Sequence, residues 1–272
     1  MVLGSVTMQT WQVVVAAVAA GFASGVLAAL LGIGGAVVTT PVVRLLGGTP
    51  LEAVGSTVPA IVPGAISGAW RYAREGLVRW RIALVLGAAG SALAVVGALV
   101  SDSVNGRVLM VLTAAVMLWA GGSVVWQLRF PREAPDPPHG AGGDFRPPDL
   151  LVAALGAAAG FVAGLLGVGG GIVIVPVLSG PLRLPMRQAV ASSLVAVASF
   201  QVPALVTHVA LGHVNWTIAL SLAAGVVPGA QLGARLTIAA SDRTVRALFG
   251  MLVVVLAVVY GATEVRGLLA GA

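Results

Sequence analysis

The sequence contains no cysteine, no lysine and little charge of either sign. Only 9% of its 272 residues are charged, whereas a typical soluble domain has about 25%. The absence of cysteine excludes disulfides, thiolate metal sites and cysteine nucleophiles. Since 58% of the residues are hydrophobic, a water-soluble protein of this length could not bury all of its apolar surface. The composition therefore predicts an integral membrane protein.

Without lysine, all 15 basic residues are arginine, and the net charge is +6. A basic protein can bind nucleic acid, but that interaction needs charge clustered on a polar face. Here the arginines stand in short connections between apolar runs, where cationic side chains meet lipid headgroups. We therefore expect the lipid bilayer, and no nucleic acid, as the partner. The expected location is the cell membrane, in a bacterium the inner membrane.

The sequence also lacks the motifs of membrane enzymes. It has no His-Glu-x-x-His, no Gly-x-Ser-x-Gly elbow and no Walker loop, which argues against a protease, a lipase and an ATPase. His208 and His213 fall near a membrane boundary without a spaced partner for a metal. We therefore expect no enzyme, no cofactor and no metal. The middles of the predicted spans hold no Asp, Glu or Arg, so any ion coupling must use another group.

Long apolar runs recur along the whole chain. A helix needs about 20 apolar residues to cross the bilayer. Eight segments are predicted to do so: 11–31, 52–70, 82–100, 108–127, 150–166, 188–210, 217–236 and 246–263. Two shorter segments cover 36–47 and 171–181. The fold class predicted is an all-α polytopic membrane protein with eight long transmembrane helices and two short segments that follow Gly-rich breaks.

The first apolar run could be mistaken for a signal peptide. No positive charge precedes it, however, and the same pattern recurs inside the chain near Leu151, so we predict a transmembrane helix. A stretch rich in proline and glycine, residues 129–149, cannot bury a core and is predicted to be a solvated linker. It separates a first transmembrane repeat, residues 1–128, from a second, residues 150–272.

The two halves resemble each other in sequence. Shifted by 135 residues, Gly21–Val42 falls on Gly156–Val177 with 12 of 22 positions identical. With one added residue, Gly76 and Trp80 pair with Gly212 and Trp216. Apolar composition alone would not place glycine, proline, serine and tryptophan twice in the same order, so the chain contains an internal repeat.

Arginine counts indicate that the repeats are inverted. The connection Arg71–Arg81 has four arginines, whereas its counterpart His208–Trp216 has none; Ser101–Arg107 has one, whereas Arg235–Arg246 has three. Cytoplasmic connections carry the excess of positive charge, so the halves have opposite orientations. Each half must then cross an odd number of times, five if the short segments traverse the membrane. Re-entrant short segments would instead make the halves parallel.

Two Gly-rich interruptions are the sharpest local feature of the sequence. Each lies in an apolar stretch where glycine lets a helix break, and each precedes a short segment that reaches Pro41 or Pro176. Freed backbone inside a membrane must be buried in protein or line a wet cavity. The N-terminus of the short helix would then offer N–H groups to an anion. The glycines predicted to bind substrate are Gly34, Gly35, Gly169, Gly170 and Gly171.

Not every glycine or hydroxyl is expected to bind substrate. The glycines of the Gly-Gly breaks could instead serve only close packing, and for Gly21, Gly25, Gly156, Gly160 and Gly164 that role is the expected one. Four hydroxyl residues recur at matching positions near the start of the next helix. They could donate to an oxyanion or simply bond back to a helix carbonyl. They complete the predicted substrate site: Ser56, Thr57, Ser192 and Ser193.

These motifs resemble one known family. Leu-Leu-Gly-Ile-Gly-Gly at 30–35, its second copy from 165, Ala-x-x-Ser-Ser-Leu at 189–194 and a Gly-x-x-x-Trp before the next helix are similar to those of the sulfite exporter TauE/SafE family of membrane permeases. The first half departs from the family pattern, with Ala36 where a third glycine is usual. The resemblance implies a transporter of small, mostly sulfur-containing anions such as sulfite or organosulfonates.

Two functions follow from these observations. The first is a permease or exporter of small anions that works by alternating access around the two Gly-rich breaks. The second is a non-transporting membrane scaffold or accessory subunit. Paired helix breaks in inverted repeats favour the transporter, because a scaffold does not need them.

Overall fold

The computed structural model describes residues 10–129, 147–167 and 169–270, which form ten α-helices and no strand. The helices are α1 (Thr10–Leu31), α2 (Ala36–Leu45), α3 (Pro50–Arg74), α4 (Trp80–Ser103), α5 (Gly106–Arg129), α6 (Asp149–Leu166), α7 (Gly171–Ser179), α8 (Met186–Ala210), α9 (Trp216–Ala239) and α10 (Asp242–Ala270). The predicted all-α class is confirmed. Most of the predicted linker, residues 130–146, lies outside the described ranges.

Each helix corresponds to one predicted segment. Eight helices have 18 to 29 residues, and the two short ones, α2 and α7, have 10 and 9. Among the described residues, six helices are long and apolar enough to cross a membrane: α1, α4, α5, α6, α8 and α9. The other two predicted spans, α3 and α10, are long helices but are not among these six.

Glycine stripes hold two helix pairs together, α1 with α9 and α4 with α6. Along α1, a Cβ at Gly21 or Gly25 would stand 3.0 and 2.9 Å from the Cα atoms of Leu222 and Val226 on α9. Along α6, a Cβ at Gly160 would stand 2.5 Å from the Cα of Gly90 on α4. The backbones therefore approach as closely as small residues permit, which confirms the packing role predicted for these glycines. In both pairs the two helices run in the same direction.

The same contacts occur twice, once in each half. The backbone N–H of Asn215, which caps α9, donates to Ser56 Oγ on α3 over 2.8 Å. At the matching positions, the backbone N–H of Arg79, which caps α4, donates to Ser192 Oγ on α8 over 3.0 Å. Helices α3 and α8, which correspond to each other in the repeat, therefore pack against the partner half in the same way.

Helices α3 and α8 run in opposite directions. A Cβ at Gly55, near the start of α3, would lie 2.6 Å from the Cβ of His213, just beyond the end of α8. A Cβ at Gly68, near the other end of α3, would lie 3.0 Å from Cδ1 of Leu194, near the start of α8. The start of one helix therefore lies beside the end of its counterpart.

Each short helix turns back along the long helix before it. Ser24 Oγ on α1 donates to the carbonyl of Gly35 at the start of α2 over 2.6 Å, and Val43 near the end of α2 shares a buried cluster with Ala17. In the second half, a Cβ at Gly170 would stand 2.9 Å from the carbonyl oxygen of Ala159 on α6. The α1–α2 and α6–α7 pairs are therefore hairpins whose tips are the Gly-rich breaks.

The two ends of the helix bundle differ in charge. At one end Arg81 forms a bidentate ion pair with Asp149, in which Nη2 lies 2.6 Å from Oδ2. Arg187 Nε lies 3.5 Å from Asp242 Oδ1 at the same end. We call this the arginine-rich end. Asp102, at the far end of α4, lies at the opposite end. The arginine pattern of the sequence thus appears as a cluster of arginines at one end of the bundle.

Candidate functional site

The two Gly-rich breaks meet inside the bundle. A Cβ at Gly34 would stand 3.2 Å from the Cα of Gly169, and a Cβ at Gly169 would stand 3.2 Å from the Cα of Gly34. The residues around this contact are buried, including Ile33 and Ile172. Segments 135 residues apart in the sequence therefore form one central element of the fold.

The backbone at the breaks requires glycine. Gly34 and Gly169 have φ values of 84° and 87°, and Gly35 and Gly170 have 86° and 60°, all in the left-handed region that other residues avoid. Gly35 and Gly170 are the N-caps of α2 and α7, and as glycines they have no side chain that could accept the N–H groups of the first turn. Both short helices thus begin at the break contact, with the positive ends of their dipoles near it.

The two breaks are not equivalent. The Gly35 carbonyl accepts hydrogen bonds from Ser24 Oγ (2.6 Å) and Thr39 Oγ1 (3.3 Å), whereas Gly170 packs against the ring of Phe200. A Cβ at Gly171 would stand 3.1 Å from the Cα of Ile33, which explains why this position is glycine. The difference between Ala36 and Gly171 seen in the sequence therefore reflects how the first break packs on the second.

The four predicted hydroxyl residues are buried and hydrogen-bonded. Ser56 and Ser192 accept the N–H groups that begin α9 and α4. Thr57 Oγ1 donates to the Val54 carbonyl over 2.8 Å. Ser193 Oγ lies 2.9 Å from the Val190 carbonyl and 3.0 Å from that of Gly32, so it ties α8 to the first break. Their contact with a substrate stays a prediction.

Of two glutamines inside the bundle, one connects helices and the other, Gln201, has no hydrogen-bond partner among the described residues. Gln231 connects helices, since its Nε2 donates to the carbonyl and the hydroxyl of Ser67, 2.8 Å each. Gln201 is fully buried on α8, and both polar atoms of its side chain lack a hydrogen-bond partner among the described residues. It lies one turn after Val197, whose Cγ1 is 3.4 Å from the Cβ position of Gly34. Gln201 is therefore an additional candidate ligand beside the break.

Two cavities open at the arginine-rich end. One, of about 440 Å³, is lined by residues of α4, α6 and the α7–α8 connection, including Arg79, Arg81, Arg183 and Gln188. The other, of about 630 Å³, shares Arg183 and also includes Gln127 and Arg246. The backbone of Arg183 is unusual for a residue other than glycine, with φ of 51°. The sequence showed these arginines only as a topological signal.

Comparison with known proteins agrees with this architecture. The family model described as sulfite exporter TauE/SafE matches residues 17–260. A probable membrane transporter protein of Xylella fastidiosa (strain Temecula1) is 29% identical over 253 residues, covering 92% of this chain and 95% of that protein. The probable membrane transporter protein YunE of Bacillus subtilis is 25% identical over 247 residues, with coverages of 83% and 89%. No solved structure gives a significant match.

Proposed function

The chain belongs to the sulfite exporter TauE/SafE family, and we propose that this multi-pass membrane protein transports small anions of the sulfur oxyanion class, such as sulfite and organosulfonates. The observation that carries the proposal is the contact between the two breaks. It brings the N-termini of α2 and α7 to one buried place, where backbone N–H groups and dipoles favour an anion. The site has no cationic side chain among the predicted residues, which suits a substrate that must also leave.

We further propose that residues 1–128 and 150–272 insert as inverted repeats with eight long transmembrane helices. The opposite directions of α3 and α8 and the twice-repeated serine contacts support this arrangement. Alternating access then follows from the repeat, because each half can adopt the conformation of the other. The buried break contact corresponds to a state closed to both sides.

The cavities at the arginine-rich end support an entry route on the cytoplasmic side. Arginines attract anions and raise their local concentration at a mouth. Arg79 contacts α8 twice, since its backbone N–H donates to Ser192 Oγ and its Nε donates to Gln188 Oε1 over 2.9 Å. We propose that an anion is collected here and passes toward the breaks.

Anion flux in liposomes tests the proposal. Purified protein should accelerate the entry of radiolabelled sulfite and methanesulfonate, and each anion should compete with the other. Protein-free liposomes provide the baseline, and chloride provides a test of selectivity. Flux at the protein-free rate for every sulfur oxyanion would contradict the proposed function and favour the scaffold or accessory subunit.

A further inference from the structure

A chain of three ionisable side chains lies at the end of the bundle opposite the arginines. His208 Nδ1 and His213 Nδ1 are 3.2 Å apart, and His213 Nε2 lies 3.1 Å from Asp102 Oδ1. The Asp102 side chain is 50% exposed, that of His213 is 9% exposed, and His208 is fully buried. The chain therefore leads from solvent into the protein interior. It joins α4 to α8 across 111 residues of sequence, so no local motif could indicate it.

Hydrogen-bond chemistry allows two arrangements of the protons along this chain. Only one of the two facing Nδ1 atoms can carry the shared proton. If His208 donates and Asp102 is ionised, neutral His213 has its proton on Nε2 and donates it to the carboxylate. Every bond is then made, and His208 Nε2 is an unprotonated nitrogen. That atom is buried, and although the backbone of Gly164 faces the His208 ring, no group among the described residues has hydrogen-bonding distance and angle to Nε2.

The alternative arrangement differs by one proton. If His213 Nδ1 donates to His208 Nδ1, then His213 Nε2 is an acceptor facing Asp102, and this requires a protonated carboxyl. His208 then holds its proton on Nε2. A proton added at His208 Nε2 thus shifts each of the two bonds by one hop and protonates Asp102. Release of that proton from Asp102 to solvent and return of both rings to their first tautomers restore the first arrangement. One proton therefore enters and one leaves.

The interior end of the chain points along α8 toward the breaks. Gln201 lies seven residues before His208, on the same face of the helix, with its side-chain amide buried and unpartnered. One turn further, Val197 packs against the Cβ position of Gly34. His208 and Gln201 therefore lie on one buried face of α8, which leads from the histidine pair to the candidate anion site.

The first half has no such chain at the equivalent place. With the one-residue offset, Tyr72 corresponds to His208 and Leu77 to His213. Tyr72 is buried, and its hydroxyl donates to the Ala29 carbonyl over 2.7 Å. A leucine cannot relay a proton. The repeat therefore carries the histidine pair in one half only, which packing alone does not require.

Among the described residues, few charged groups lie near the pair. On α4 the facing group is Asp102, and on α6 the backbone of Gly164 faces His208. In the first turn of α3, the Glu52 carboxylate accepts the N–H of Thr49 over 2.8 Å, within a capping box. Arg107, in the first turn of α5, lies at this end of the bundle.

We propose that Asp102, His213 and His208 form a proton relay that couples anion transport to proton movement. This inference rests on the proposed function, because the relay serves a substrate that moves through the breaks. The middles of the predicted spans hold no Asp, Glu or Arg, and the relay supplies the ionisable groups that ion coupling needs.

Proton flux measured beside anion flux tests the relay. Methanesulfonate is the substrate, because it stays ionised, whereas sulfite can cross lipid as neutral sulfur dioxide. With a pH indicator trapped in the liposomes, wild-type protein should move protons in fixed ratio with the anion. His208→Gln and Asp102→Asn should lower proton movement per anion at least about tenfold, while exchange of labelled anion continues.

A matched control comes from the other half. Tyr72→Phe removes a buried hydrogen bond at the position equivalent to His208, and should change stability but not the proton-to-anion ratio. An unchanged ratio in His208→Gln would overturn the relay. Absence of any anion flux in the wild type would instead contradict the proposed function.

If the wild type shows no anion flux, a second measurement still tests the relay. In a His139→Gln background, ¹⁵N spectra contain only the two rings of the pair. We expect these rings to change protonation as a coupled pair, and Asp102→Asn to alter both. Independent titration of the two rings would overturn the relay whatever the flux.

Discussion

At the scale of single residues, positive φ angles decide where the two long apolar stretches break. The sequence predicted the breaks because clustered glycines inside an apolar stretch let a helix break there. The contact of Gly34 with Gly169 could not be predicted, since it depends on how the halves dock. The chain of Asp102, His213 and His208 was missed for the same reason, because Asp102 lies on another helix.

Substitution of a break glycine separates close approach from backbone strain. Gly34→Ala places a methyl group 3.2 Å from the Gly169 Cα at a φ of 84°. The strain of a left-handed alanine should cost about 1–2 kcal/mol of stability. The added methyl group should in addition lower methanesulfonate flux about tenfold or more, because a displacement of about 1 Å at a binding centre costs that much.

Gly76→Ala is the matched control. Gly76 also has a positive φ, 67°, but nothing lies within 4 Å of its Cβ position. This variant should show the same loss of thermal stability in detergent with normal transport. If Gly34→Ala also transports normally, the glycine contact serves packing alone, and the substrate-binding role of the breaks is wrong.

At the scale of helices, the sequence placed all ten elements but not all of their ends. Helix α3 continues to Arg74, four residues beyond the predicted end at 70, and α4 begins at Trp80 rather than at residue 82. Both extensions are polar or interfacial turns, which hydropathy cannot assign because they lie beyond the apolar run. Arg74 covers the ring of Trp70 at 3.7 Å, a contact that stabilises the extended turn.

The glycine stripes should respond to substitution as packing positions. Gly160→Ala would place a Cβ 2.5 Å from the Gly90 Cα, so α4 and α6 must separate. Overpacking of this kind costs about 1–3 kcal/mol, and we expect a lower melting temperature in detergent and a lower yield.

Gly122→Ala, on α5, provides the comparison. Nothing lies within 4 Å of that Cβ position, so the variant should keep the wild-type melting temperature or raise it slightly. Equal melting temperatures for the Gly160 and Gly122 variants would show that the α4–α6 contact contributes little to stability.

At the scale of the whole molecule, two independent signals agree on orientation. The arginine counts come from the sequence alone, whereas the opposite directions of α3 and α8 come from their contacts. Helices α2 and α7 turn back along α1 and α6, so each hairpin returns the chain to the side from which it came. The sequence alone could not distinguish short segments that cross the membrane from re-entrant ones.

Equivalent connections of the two repeats should therefore face opposite sides of the membrane. Ser103, the last residue of α4, and Ser241, just before α10, lie at corresponding connections and are both exposed. The natural sequence has no cysteine, so Ser103→Cys and Ser241→Cys each provide one reactive thiol. In right-side-out vesicles an impermeant maleimide should label the Ser103 variant at once and the Ser241 variant only after permeabilisation, because arginines gather at the cytoplasmic end. Glu75→Cys, at the arginine-rich end, should behave like the Ser241 variant. Labelling of both serine variants from the same side would mean that the repeats are parallel, and the alternating-access argument from inverted halves would then be wrong.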